Sequence, residues 1–172
     1  MVSGSRRNSL KIQLDPLNPK SVENAIKQIE QYKKWLTKKE DELLRRLEFL
    51  GATKVSMGYA RAIYGQDKDI KVSTIIFGNT LVIQAQGKDV CFVEFGAGIR
   101  YGNGYLGNRP QGIVEIGEYG KGKGKNPKGW WYTGDDGSSH HSYGNPPSMV
   151  MYKTSLELAE AITEIAREVF KS

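Results

Sequence analysis

Few residues in this 172-residue chain have the types and spacing for chemistry. Glu94 is the one acid inside the apolar run Val90-Cys-Phe-Val-Glu-Phe-Gly-Ala-Gly-Ile99. As a general acid or base it would need a partner carboxylate or a base within reach, and no neighbour in the sequence supplies one. The reading it supports is an anchor. Its carboxylate would accept hydrogen bonds from backbone amides of the loop that starts two residues later, or pair with Arg100.

His140-His141 follows Asp135-Asp136, which brings nitrogen and oxygen ligand types together. Adjacent histidines on an extended chain point to opposite sides, and no third motif completes a metal geometry. A solvated loop is the simpler reading, so no metal is expected. A metal-dependent hydrolase using His140, His141 and Asp135 is the weakest of three functional readings. The only cysteine, Cys91, sits in the apolar run as a small buried hydrophobe and can form no disulfide within the chain. No serine has a nucleophile-elbow context. The pairs Gly96-Ala-Gly98, Gly102-Asn-Gly104 and Gly122-Lys-Gly124 lack the following helix that a phosphate-binding loop requires. The expectation is a non-enzymatic protein without a cofactor.

Lys121-Gly-Lys-Gly-Lys125 and Lys128 stand beside Trp130-Trp131-Tyr132. Lysines interleaved with aromatics could track phosphates and stack bases. Glu115, Glu118, Asp135 and Asp136 flank them, however, so the local charge is small. An exposed tip whose aromatics pack on a neighbouring protein fits better than a nucleic-acid module. The nucleic-acid module stays as the alternative function, with DNA as a possible contact. The overall charge of +6 permits an acidic partner without choosing one.

The chain's length suits one domain with a real core. Hydrophobic residues make up 38% and are scarce mainly in the glycine-rich part. The basic start, MVSGSRRNSL, is followed by no apolar segment, so neither a signal peptide nor a membrane span is expected. A soluble protein made in a cytoplasm follows.

The elements that must position these residues read as α+β: a small antiparallel sheet packed by a long N-terminal helix and a C-terminal helix. Residues 1–9 form a loose tail. Residues 10–14 alternate as a short strand. Two helices follow within residues 20–64. The first starts at a Ser21 cap, with Glu23 in its first turn, and carries Val22, Ile26, Ile29, Tyr32, Leu36, Leu43, Leu47 and Leu50 on one face. A gap falls near Lys39-Glu40, and Gly51 is its expected stop. A pattern of that length suggests a kink or a face that packs on another subunit. The second helix spans residues 53–64. Residues 70–77, 80–86 and 90–95 read as a three-stranded meander with short turns. Fourteen of the twenty glycines lie between residues 96 and 144, together with seven tyrosines and tryptophans. This insert, residues 96–147, is too aromatic for simple disorder and long enough to be functional. Short strands are expected at 113–116 and 130–132. Residues 148–171 form the last helix, with Met151, Leu158, Ile162, Ile165 and Val169 inward.

Phe92-Val-Glu-Phe-Gly-Ala-Gly98 resembles the "(Y/F)(V/I)EFGTG" signature of small head–tail connector or tail-completion proteins of long-tailed bacteriophages. These are the gene-product-ten-like family of the lambdoid phage HK-ninety-seven. Tyr143-Gly-Asn-Pro-Pro-Ser-Met-Val-Met-Tyr-Lys-Thr154 is similar to the family's "G…P(A)…MYNT" entry into its C-terminal helix. A long charged helix, a Gly58-Tyr-Ala-Arg-Ala62 stretch and a Gly129-Trp-Trp-Tyr132 cluster occur in the matching order. Ala97 stands where the family usually has Thr, and Lys153 where it has Asn. The resemblance covers residues 20–172. It implies a virion protein of the phage neck that forms a homo-oligomeric ring and meets other neck and tail proteins. Assembly contacts are then expected at Glu94, Phe95, Gly96, Gly98, Arg100, Trp130, Trp131, Tyr132, Met151 and Tyr152.

Overall fold

The computed structural model describes residues 10–62, 70–98, 100–101, 125–134 and 136–171. The expected N-terminal tail, the strand at 113–116 and the lysines 121 and 123 lie outside the described residues. The fold is α+β, as expected. In order it contains α1 (Pro19–Arg61), β1 (Lys71–Phe77), β2 (Thr80–Gln86), α2 (Val90–Phe95), β3 (Trp130–Thr133), β4 (Ser139–Ser142) and α3 (Val150–Lys171). Among the described residues, no helix is long and apolar enough to cross a membrane.

α1 is one helix of 43 residues, about 64 Å long at 1.5 Å per residue. It begins earlier than Ser21: Asn18 is the cap, its side chain accepting from the Lys20 amide, with Pro19 in the first turn. Ser21 lies inside that turn and accepts from the Asp15 amide at 2.9 Å. The helix runs on through the apolar gap at Lys39-Glu40. Lys39 buries its stem and reaches Glu42 at 3.3 Å, so the helix crosses the gap with an internal ion pair. Gly51 does not stop the helix either. It is buried mid-helix, where a Cβ would strike the Ile83 side chain and come within 3.1 Å of Leu158. Glycine is there for close approach, so residues 53–61 continue the same helix. Residues 10–14 carry no strand; the chain is irregular up to a turn in which Asp15 accepts from Leu17. A lone extended segment has no ladder to join.

β1 and β2 pair antiparallel from Lys71↔Gln86 to Phe77↔Thr80, around Gly78 at φ 57°. They form a two-stranded sheet. The third strand of the meander is not there: residues 90–95 are α2, a short helix. The physical reason lies at its ends. A strand there would need a partner edge, whereas a helical turn closes its own bonds and leaves its last carbonyls for another segment.

α3 runs antiparallel to α1, since Gly58 meets Val150, Gly51 meets Leu158 and Trp35 meets Phe170. Lys54–Glu157 and Arg46–Glu168 tie the same pair of helices. The core gathers Val55, Tyr59, Ala62, Val93 and Val150, flanked by Val72, Ile83 and Ala85 of the sheet. It therefore sits where α1, the β1–β2 hairpin, α2 and the start of α3 converge.

A candidate assembly site at the base of the insert

α2 and α3 cap each other. The last turn of any helix leaves carbonyls without partners, and the first turn leaves amides. At the end of α2, Val93 O accepts from the Ser148 amide at 2.8 Å and Glu94 O from the Met149 amide at 3.2 Å. Phe92 O accepts from the Asn145 side chain at 2.8 Å. At the start of α3, the preceding residue is Met149 at φ 55°, which has no side-chain oxygen to offer. Glu94 takes that role from across the fold. Its Oε2 accepts from the Met151 amide at 3.0 Å and its Oε1 from the Tyr152 amide at 3.1 Å. The Tyr59 hydroxyl donates to Oε2 at 3.1 Å, which ties α1 to the same carboxylate. Glu94 is only 4% exposed. A carboxylate beside a helix N-terminus also suits the helix dipole.

Directly after Glu94 the chain crosses the segment before α3. Ala97 and Asn145 form a two-way backbone bridge, at 2.8 and 3.0 Å. Gly96 at φ 75° would place a Cβ 2.7 Å from Asn145 O and from Pro147 N. Gly144 at φ 95° would drive a Cβ into Ala97 O. Both are positions that glycine alone fits. Residues 94–98 and 144–152 thus form one clasp, and the intervening insert leaves and returns at a single closed base.

Just above the clasp stands the β3–β4 hairpin, paired Trp130↔Ser142 to Thr133↔Ser139. Alternation sorts its side chains onto two faces. On one face the His141 ring lies 5.0 Å from Trp131 and 4.7 Å from Tyr143, edge-on to both. Arg100 stacks over Tyr143 at 4.3 Å, a cation–π contact. On the other face Tyr132 stacks on His140 at 5.4 Å. Trp131 is 63% exposed and Tyr132 47%.

Ser138, Asp136 and His140 also meet, but without the geometry of a triad. The Ser138 hydroxyl lies 2.5 Å from His140 Nε2 and 2.7 Å from Asp136 Oδ1, while Asp136 Oδ1 is 3.6 Å from that same Nε2. In a triad the acid must hold the opposite ring nitrogen from the one that serves the nucleophile. Here the carboxylate receives the Ser138 hydroxyl and amide and staples the turn. Those bonds, then the neighbouring His140, hold the Asp136 carboxyl below the usual aspartate range. Among the described residues, no three potential ligands cluster for a metal ion.

The ten expected contact residues divide accordingly. Glu94, Gly96, Met151 and Tyr152 belong to the clasp, and Phe95 is buried behind it. Gly98 approaches Trp130, whose ring would lie 3.2 Å from a Cβ there. Arg100, Trp131 and Tyr132 belong to the hairpin and its approach. The anchor role of Glu94 was read correctly, but its amide donors come from the α3 start 57 residues on rather than from the adjoining loop. Tyr59 and Asn145 were missed. The signal for Asn145 was available, as a polar residue held against Pro146-Pro147 at a helix entry. Tyr59 carries no local signal. Comparison with protein-family models, with curated proteins and with solved structures returns no match.

Proposed function

We propose that this chain is a non-enzymatic structural subunit of a tailed-phage virion. In this reading it completes the head–tail connection at the neck as part of an oligomeric ring. One observation carries the reading. The two stretches that resemble the connector family, residues 92–98 and 143–154, are far apart in sequence yet form one interlocked clasp. Two short motifs whose residues serve each other physically are harder to explain as coincidence than either alone. The clasp holds rigid the base of a glycine- and aromatic-rich insert, and the exposed Trp131 and Tyr132 above it are the residue types that anchor interfaces. The polar side chains of the hairpin staple its own turn, which supports a binding surface over a catalytic one.

Virion localisation and ring partners belong to this proposal. The test is cryo-electron microscopy of purified particles from the phage whose genome encodes the chain. A ring of this fold between portal and tail tube is the expected result. A neck fully accounted for by other chains would overturn the reading.

A further inference from the structure

The β1–β2 sheet has two strands, and among the described residues no third segment bonds to either of its outer edges. An outer edge is a row of unpaired amides and carbonyls, which folds normally guard with a charge, a proline or a bulge. This hairpin has none of these. From Val72 to Gln86 it holds no charged residue and no proline, and its register runs without interruption. β1 is the more open strand. Ile75, Ile76 and Phe77 are 54%, 40% and 82% exposed, so its last three residues are bare on both faces. Ile75 stands opposite Val82 on the face turned away from α1, since Val72, Ile83 and Ala85 take the face that packs on the core.

A strand without a sheet lies elsewhere on the chain. Leu10-Lys-Ile-Gln-Leu14 alternates apolar and polar as a half-buried strand does, yet it joins no ladder and leaves Leu10 and Leu14 exposed. It cannot reach its own β1–β2 sheet. The Asp15 amide is held on the Ser21 hydroxyl at the start of α1, whereas the hairpin sits on Glu48 through Thr74 and on Gly51 through Ile83. Ser21 and Glu48 are about 40 Å apart along the helix. Five extended residues span about 17 Å. The three residues of β1 beyond Thr74 bring its end only about 10 Å closer. A place on this sheet is therefore open to residues 10–14 only on another molecule.

We infer that residues 10–14 of one copy of this chain add to the β1 edge of the next copy as a third strand. Every copy carries both halves of the contact, a strand without a sheet and an edge without a guard, at separate places along α1. Main-chain bonds supply the pairing, and alternation sets Leu10, Ile12 and Leu14 in a row beside Ile75 and Phe77. Donor and acceptor are different surfaces, so the contact is head-to-tail and can repeat around a ring. The inference supplies the subunit contact of the ring proposed above and rests on that reading.

The test uses the full chain in two variants. The donor variant carries Lys11→Pro and Leu14→Pro, at an odd and an even position, so whichever set of amides faces the partner loses one. The acceptor variant carries Ile75→Lys and Phe77→Lys, which guard the edge at exposed positions. Both should keep the wild-type melting curve; Phe77→Lys alone serves if the double change does not. Light scattering over a concentration series should show wild-type oligomers and each variant self-associating at least about tenfold more weakly, as expected for a lost backbone bond and the packing that goes with it. An equimolar mixture of the two variants should regain a dimer and no more, because each keeps one intact half. A synthetic peptide of residues 10–16 added to the donor variant should slow amide exchange at alternate residues of β1, the signature of an added strand. Wild type that stays monomeric, variants that assemble as wild type does, or a peptide that leaves β1 exchange unchanged would each overturn the inference. Oligomers that both variants leave intact would place the subunit contact elsewhere and leave the ring reading standing.

Discussion

Glu94 shows how one buried acid can serve structure. It receives two amides of α3 and the Tyr59 hydroxyl, so three helices share one side chain. Glu94→Ala leaves those donors unpaired in a buried site and should cost about 3 kcal/mol or more, since hydrogen bonds to charged groups contribute 1.5–3 kcal/mol each. Glu94→Gln keeps the shape but turns a donor toward donors, and should cost about half as much. Chemical denaturation measures both; an alanine variant within 0.5 kcal/mol of wild type would contradict the anchoring role, taking about that figure as the noise of a neutral surface change. Gly144→Ala tests the crossing beside it. A Cβ there collides with Ala97 O at a φ of 95°, so the variant should lose about 2 kcal/mol or more, with amide exchange at Ala97 and Asn145 speeding up first.

At the scale of elements, the long N-terminal helix, the β1–β2 hairpin and the last helix were legible because apolar periodicity and turn residues agree there. The misreadings have physical causes. Four of the six residues 90–95 are β-branched or aromatic, but such propensity reports a fit to a half-buried pleated surface, and these residues met a partner segment that rewards a helix end. Gly51 reads as a stop from sequence, because nothing local reveals that Ile83 and Leu158 need the space. The donors to Glu94 were illegible for the same reason: they are brought by the closing of the insert. The β3–β4 hairpin yields a pH prediction. The bonds from Ser138 hold the Asp136 carboxyl below its ordinary value, so their stabilisation is complete above that value and is lost as pH falls through the lowered one. The Ser138 amide shift in nuclear magnetic resonance should therefore hold steady through the usual aspartate range and change only in stronger acid. A change at or above the ordinary aspartate value would contradict the staple.

For the whole molecule, the division of labour is between a rigid helical frame and a clasped insert. Trp131→Ala with Tyr132→Ala removes exposed surface above the clasp, so melting should be almost unchanged while incorporation into particles fails. A loss of stability comparable to that of Glu94→Ala would show that these aromatics belong to the fold instead. The central claim, that the chain completes the join of head and tail, is tested most directly by electron microscopy of lysates from phage lacking this gene. The account predicts DNA-filled or emptied heads and separate tails, with joining restored when the wild-type chain is supplied in trans. Infectious tailed particles at the normal titre would contradict it.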